Sequence, residues 1–134
     1  MPTRDPFLVR LGALLAGLGV ALGAFGAHAL KARLSPEALG WWHTGVDYQL
    51  WHALAVLALG LAGGRPARAP ALMMAGGSAL FAASLYALAL GAPRWSGAIT
   101  PLGGLAMIAG WALLAWRAPS LGPRLGRPAA RDEA

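Results

Sequence analysis

Residues 11–30 read LGALLAGLGVALGAFGAHAL, twenty residues without Asp, Glu, Lys or Arg. A transmembrane α-helix needs about 20 mostly apolar residues. Residues 48–64, 69–93 and 95–116 likewise contain none of these four residue types. The stretch at residues 48–64 is long enough to span a membrane if its helix begins near Thr44 and carries Asp47 at the membrane edge. We therefore predict four transmembrane spans, at about residues 11–30, 44–63, 70–91 and 98–117.

The composition excludes an ordinary soluble domain. Of the 134 residues, 57% are hydrophobic and 12% are charged, and the mean hydropathy is +0.56. A typical soluble domain is about 25% charged, so this chain has too few charged side chains to cover its surface. Alternating strand patterns are absent, and a membrane barrel needs many more segments. We expect an all-α integral membrane protein built as a four-transmembrane-helix bundle.

The basic residues predict the orientation of the chain. With four spans, both termini and the loop between the second and third spans lie on one side. Eight arginines fall on that side, against three basic residues on the other, which are Lys31, Arg33 and Arg94. The side richer in Lys and Arg faces the cytoplasm, so we expect both termini to be cytoplasmic. The eight arginines are Arg4, Arg10, Arg65, Arg68, Arg117, Arg124, Arg127 and Arg131.

The connections between the spans contain further signals. Ser35, Pro36 and Glu37 are typical of a helix start, with a capping serine, a first-position proline and an acid in the first turn. We expect a short interfacial helix here, carrying Leu39, Trp41 and Trp42. Amphipathic aromatic rings favour membrane interfaces. The predicted interface markers are Trp41, Trp42 and Trp95 on the outer side and Trp116 on the inner side.

Residues 1–117 are predicted to form one transmembrane domain, followed by a disordered basic cytoplasmic tail at residues 118–134. An alternative is that residues 1–29 are a secretory signal peptide with a cleavage site at Ala27-His28-Ala29. The apolar run of twenty residues exceeds the usual signal core of about 7–15, so we favour a retained helix. Its small residues also predict a smooth face for close helix contact. They are Gly12, Ala16, Gly19, Gly23 and Ala27.

Several polar side chains are predicted to lie together in the outer half of the bundle. Polar groups in a membrane helix are costly and face protein or water. They either hydrogen-bond between helices and fix their register, or form a functional site. For Asp47 we expect an interfacial salt link with His43, Lys31 or Arg33. The candidate residues are His28, Asp47, Tyr48, Gln49, His52, Ser84, Tyr86 and Thr100.

His28 and His52 could carry chemistry if two helices brought them together. They would then hold a metal or haem, or move a proton, since a histidine titrates near pH 6.5. The chain has no Cys, which excludes disulfides and Cys-ligated metal sites. It contains no H-E-x-x-H, G-x-S-x-G or Walker-type phosphate loop. We therefore expect a non-enzymatic protein without a cofactor.

Five motifs of the chain resemble a known family. They are residues 23–31 (GAFGAHALK), 44–54 (TGVDYQLWHAL), 84–86 (SLY), 100–104 (TPLGG) and Gly110-Trp111. Together they are similar to the family called domain of unknown function 423, whose eukaryotic relatives are called transmembrane protein 256. The resemblance covers about residues 7–117. It implies a small four-helix integral inner-membrane protein and implies no activity, so no catalytic residue is carried over.

The resemblance also draws attention to particular residues and departures. Relatives tend to have Phe-Ser-Gly-Ser-Leu-Tyr where this chain has residues 81–86, FAASLY, so the first serine of that pattern is missing. Asp47 stands where relatives often have a small or acidic residue. The positions that the family pattern emphasises are His28, Tyr48, Gln49, His52, Ser84, Tyr86, Thr100 and Pro101.

The sequence leaves two function classes open. The first is a non-enzymatic structural or partner-binding component of the inner (cytoplasmic) membrane, in which the polar cluster holds the bundle together. The second is a small transporter or a metal-, haem- or proton-binding membrane protein that uses His28 and His52. The expected partners are the lipid bilayer and a second copy or a larger membrane complex. Nucleic acid is not expected, because the basic residues lie between apolar runs.

Overall fold

The computed structural model describes residues 4–121, which form helices and short connections without a β-strand. The first helix ends in a π-helical turn, Gly26–Leu30, and 3₁₀ turns at Arg65–Ala67 and Arg94–Ala98 precede the last two helices. The prediction of a disordered tail at residues 118–134 falls mostly on residues 122–134, which lie outside the described residues. The four α-helices are α1 (Pro6–Phe25), α2 (Pro36–Ala62), α3 (Arg68–Ala89) and α4 (Thr100–Leu121).

The second helix differs most from the prediction, because it begins at Pro36 rather than near Thr44. The Ser35 hydroxyl accepts a hydrogen bond from the Ala38 amide at 3.2 Å, which caps the helix as expected. No proline occurs between Pro36 and Pro66, so nothing forces a break. The expected short interfacial helix is therefore the start of one continuous helix of 27 residues.

Consecutive helices run antiparallel, with α2 and α3 in the centre. The α1 helix packs mainly against α2, and α4 packs mainly against α3. A smaller contact joins α1 to α3, whereas within residues 4–121 α1 and α4 share no extensive interface. We call the end of the array that carries Asp5 and residues 63–67 the proximal end. The other end, with residues 31–35 and 90–99, is the distal end.

The α1 and α2 backbones approach closely at glycines spaced seven residues apart. A Cβ on Gly12 would lie 2.6 Å from the Leu57 amide nitrogen, and one on Gly19 would lie 2.7 Å from the Leu50 side chain. Gly26 makes the same kind of contact with Trp42. The predicted small-residue face is thus confirmed at Gly12 and Gly19. At its distal end the prediction of Ala27 was wrong, because Ala27 is exposed and Gly26 lies at the contact.

A polar link closes the proximal end. The Asp5 carboxylate accepts hydrogen bonds from the Phe7 and Leu8 amides and caps α1. The same carboxylate forms a 2.9 Å salt bridge with Arg68 at the start of α3. The Asp5 amide also donates to the Gly60 carbonyl of α2 at 2.8 Å. One residue therefore joins three helices at this end.

Three helical segments are long and apolar enough to cross a membrane, namely Pro6–Leu30, Arg65–Ala89 and Arg94–Pro119. These correspond to the first, third and fourth predicted spans. The α2 helix is long enough, with 27 residues, but it is not in this group. Its lower hydropathy reflects the polar residues that make up the candidate site.

Candidate functional site

Gln49 connects three helices from the middle of α2. Thirteen residues of α2 precede it and thirteen follow it, and its side chain is only 3% exposed. Its Nε2 donates to the Leu15 carbonyl of α1 at 2.9 Å. Its Oε1 accepts from the Tyr86 hydroxyl of α3 at 2.9 Å. Both ends of the amide are therefore used in contacts between helices.

His52 lies one turn further toward the proximal end and is also buried, at 6% exposure. Its Nε2 lies 3.0 Å from Nε1 of Trp111 on α4, and its Nδ1 lies 2.7 Å from the Tyr48 carbonyl. An indole nitrogen only donates, so Nε2 accepts. The proton is therefore assigned to Nδ1, which donates to the carbonyl. Both ring nitrogens have a protein partner.

A third polar contact links α3 to α4 through Ser84 and Thr100, whose hydroxyl oxygens lie 2.7 Å apart. The Ser84 hydroxyl donates to the Phe81 carbonyl at 2.8 Å. A serine hydroxyl has a single proton, so the Thr100 hydroxyl donates to Ser84. With Gln49 and His52, this pair completes what we call the interhelical network. Its members are Gln49, His52, Ser84, Tyr86, Thr100 and Trp111.

Trp42 was predicted to mark the outer interface, and that prediction was wrong. Its side chain is 3% exposed, and its Nε1 donates to the Leu22 carbonyl of α1 at 2.9 Å. Its ring packs against Tyr86 with 4.6 Å between ring centroids. Because Trp42 belongs to the continuous α2 helix, seven residues before Gln49, it lies on the same buried face. In contrast, Trp95 and Trp116 are 71% and 86% exposed.

The network extends deeper than predicted. The sequence places the polar cluster in the outer half of the bundle, since the second span is expected to begin near Thr44. With α2 beginning at Pro36, Gln49 is its central residue and His52 lies beyond the centre, on the proximal side. Ser84 and Thr100 lie closer to the distal end, as expected.

Three predicted site residues do not take part in the network. His28 is exposed in the π-helical turn, and Asp47 is exposed on α2. The salt bridge of the described chain joins Arg68 to Asp5, so the expected salt link of Asp47 is not formed. Tyr48 is 36% exposed, and its ring packs on Phe81 at a centroid distance of 4.7 Å.

The structure does not bring His28 and His52 together. Gly12 packs against Leu57, and Gly26 packs against Trp42. This antiparallel register places His28 level with about residue 40 of α2, twelve residues from His52. At 1.5 Å rise per residue the two histidines are separated by about 18 Å along the helix axis. Residues 4–121 also contain no group of three or more His, Asp or Glu that could hold a metal.

The site is therefore chemically saturated by the protein itself. Among the described residues, no buried side-chain nitrogen or oxygen lacks a hydrogen-bond partner. The sequence did not predict two of the groups that take part in the interhelical network, namely the Trp111 side chain and the Leu15 carbonyl. The seven-residue spacing of Trp42, Gln49 and Val56 is the signal that marks the buried face of α2. No sequence pattern marks a backbone carbonyl as a partner.

Comparison with known proteins identifies the relatives of the chain. The family described as "Protein of unknown function (DUF423)" matches residues 22–104. The chain is 40% identical over 112 residues to the UPF0382 inner membrane protein YgdD of Escherichia coli K12, covering 81% of this chain and 86% of that protein. It is 44% identical over 109 residues to the UPF0382 membrane protein YwdK of Bacillus subtilis, covering 78% and 89%. No solved structure matches the chain.

These matches agree with the fold. The relatives are named as membrane proteins, and three helices of this chain are long and apolar enough to cross a membrane. Within the motifs that carry the resemblance, Gly26 and Gly103 lie at close helix contacts. The same motifs contain all six members of the interhelical network. The chain is a membrane protein and belongs to the family described as "Protein of unknown function (DUF423)".

Proposed function

We propose that the chain is a non-enzymatic, four-span component of the inner membrane whose interhelical network fixes the register of its helices. The observation that carries this proposal is the saturation of the network. Gln49 uses both ends of its amide between helices, and both nitrogens of His52 are occupied. A site that binds a ligand needs polar groups free to contact it, whereas a structural network is satisfied internally.

The contacts of α2 support its role as the fourth span. A helix of 27 residues is about 40 Å long, against about 30 Å of hydrocarbon. It packs between α1 and α3, both of which are apolar enough to cross a membrane. Its buried polar side chains have partners within the protein, which reduces the cost of placing them in lipid.

The charge distribution supports cytoplasmic termini. The proximal end carries Arg4, Arg65 and Arg68, and Arg117 donates to the Pro66 carbonyl there at 3.2 Å. The distal connections carry Lys31, Arg33 and Arg94. The larger number of arginines favours the proximal end as the cytoplasmic one.

Cysteine labelling tests both the span number and the orientation, since the chain has no native Cys. In intact cells a membrane-impermeant maleimide is expected to label Arg33→Cys and Arg94→Cys. It is expected to label Arg65→Cys only after permeabilisation. All three positions are exposed. Equal labelling of Arg33→Cys and Arg65→Cys would show that α2 does not cross the membrane, and the reverse pattern would invert the orientation.

His52→Phe keeps an aromatic ring but removes both ring nitrogens. It therefore tests whether His52 stabilises the fold or binds a ligand or proton. His52→Phe is expected to lower the free energy of unfolding by about 1 kcal/mol. It removes the interhelical bond to Trp111, and such bonds contribute about 0.6 kcal/mol on average; it also removes the bond within α2 to the Tyr48 carbonyl. His28→Phe, at an exposed position, is expected to change it by less than about 0.5 kcal/mol. Chemical denaturation of the purified proteins in detergent measures both values.

Elemental analysis of the same preparations tests the rival function class. A structural role predicts no stoichiometric metal in the wild type and no change in either variant. A bound metal that disappears in His52→Phe would replace the structural proposal with a ligand-binding one. Proton transfer coupled to transport would instead appear as pH-dependent flux in vesicles that His52→Phe abolishes.

The exposed apolar surface supports lipid and a second copy or a larger complex as the partners. Leu14, Val20 and Ile108 are all more than half exposed, as expected for side chains in contact with lipid tails. Ala109 and Ala112 of α4 are exposed, and exposed small residues favour close association of membrane helices.

A further inference from the structure

A basic cavity lies at the proximal end, where α1 begins beside the connection between α2 and α3. Its volume is about 210 Å³. Three of the lining side chains are arginines and one is an aspartate, so the site is positive overall. The lining residues are Arg4, Asp5, Pro6, Gly64, Arg65 and Arg68.

Two of these arginines are available to an anion. Arg68 forms the salt bridge with Asp5 at 2.9 Å and places its guanidinium 5.6 Å from the centre of the Phe7 ring. Arg4 and Arg65 are exposed, and neither guanidinium has a hydrogen bond or ion pair with another residue of the described range 4–121. Among residues 4–121, no acidic side chain pairs with either charge, whereas Arg68 and Asp5 beside them neutralise each other.

An apolar groove of about 290 Å³ begins one helical turn from this cavity, in the crevice between α1 and α3. Leu72 follows Arg68 by one turn of α3, and Ala79 lies eleven residues beyond Arg68. The groove therefore extends about 16 Å along α3 from Arg68, which is close to half of a 30 Å hydrocarbon core. Its lining residues are Leu11, Leu15, Leu72, Ala75, Gly76 and Ala79.

We propose that this crevice binds an anionic glycerophospholipid. The phosphate lies against Arg4 and Arg65, and one acyl chain lies in the groove between α1 and α3. Arginine recognises phosphate through paired, charge-assisted hydrogen bonds. The groove presents only apolar groups to the lipid acyl chain. The basic cavity and the apolar groove follow one another along α1 and α3, and the groove reaches about the depth of one leaflet; both features favour a lipid over a soluble anion. This site goes beyond the proposed function and does not depend on the interhelical network.

Native mass spectrometry of the full chain in detergent tests the headgroup contact. Phosphatidylglycerol is expected to be retained more strongly than phosphatidylcholine with the same acyl chains. The double variant Arg4→Gln/Arg65→Gln is expected to weaken phosphatidylglycerol binding about twentyfold, since each arginine contributes several-fold. The control Lys31→Gln/Arg33→Gln removes the same charge at the distal end and is expected to leave binding unchanged.

The groove has its own matched pair of variants. A Cβ on Gly76 or on Gly17 would meet no atom within 4 Å, so both positions accept leucine without a clash with the fold. Gly76→Leu fills part of the groove and is expected to weaken phosphatidylglycerol binding about tenfold. Gly17→Leu lies outside the groove and is expected to have no effect. Glycerol phosphate at millimolar concentration is expected not to compete.

Three results would overturn the proposal. The first is equal retention of phosphatidylglycerol and phosphatidylcholine by the wild type. The second is an equal loss in the proximal and distal charge variants, which would indicate a diffuse electrostatic effect. The third is competition by glycerol phosphate with no effect of Gly76→Leu, which would indicate a soluble anion. Because Gly76 does not contact the interhelical network, failure here leaves the proposed structural function untouched.

Discussion

Gly103→Ala is expected to lower the free energy of unfolding by about 3 kcal/mol, the largest effect we predict for a single methyl group in this chain. A Cβ on Gly103 would lie 2.6 Å from the Gly77 carbonyl oxygen and 2.6 Å from the Phe81 amide nitrogen. Both atoms belong to the backbone of α3, so neither can rotate away. The methyl group therefore requires α3 and α4 to separate, which would also stretch the 2.7 Å contact between Ser84 and Thr100.

The adjacent glycine is the matched control. A Cβ on Gly104 would meet its nearest neighbour, Cδ2 of Phe81, at 4.0 Å, an ordinary contact distance. Alanine also has a higher helix propensity than glycine, by about 1 kcal/mol, and both variants share this gain. Gly104→Ala is therefore expected to leave stability unchanged or to raise it slightly. Denaturation of the two variants side by side in one detergent measures the difference. Equal stabilities would mean that α3 and α4 are not in close backbone contact.

The sequence predicts the helical fold well because few backbone structures can cross the hydrocarbon core of a membrane. A span requires a long apolar run, and each run ends near charged or turn-forming residues. The glycines of α1 are predictable for the same reason, since glycines repeated on one helix face have a packing use. The boundary of α2 was harder to place. Asp47, Gln49 and His52 lower its hydropathy, although they do not interrupt the helix.

The site was only partly predictable. Gln49, His52 and Tyr86 stand out because buried polar groups in membrane helices need partners. Their partners depend on how far each helix slides along its neighbour, and periodicity does not determine that offset. The register that separates His28 from His52 by about 18 Å is visible only in contacts such as Gly12 with Leu57. The sequence therefore does not determine whether His28 and His52 lie close together.

Replacing Gln49 by leucine is expected to have the second largest effect, lowering the free energy of unfolding by about 2 kcal/mol. Leucine has a similar volume, so the change isolates the loss of the bonds to Leu15 and Tyr86. Each interhelical hydrogen bond contributes about 0.6 kcal/mol on average and up to about 1.7. The Tyr86 hydroxyl also loses the acceptor that the structure gives it.

A double-mutant cycle assigns this energy to the bond between Gln49 and Tyr86. Tyr86→Phe alone is expected to cost about 1 kcal/mol, and the double variant is expected to cost less than the sum of the two, because one bond is removed twice. Tyr48→Phe is the control, since Tyr48 is the other tyrosine of the chain and makes ring contacts but no side-chain hydrogen bond within residues 4–121. Strictly additive costs, or a Tyr48→Phe cost equal to that of Tyr86→Phe, would contradict a structural role for the network.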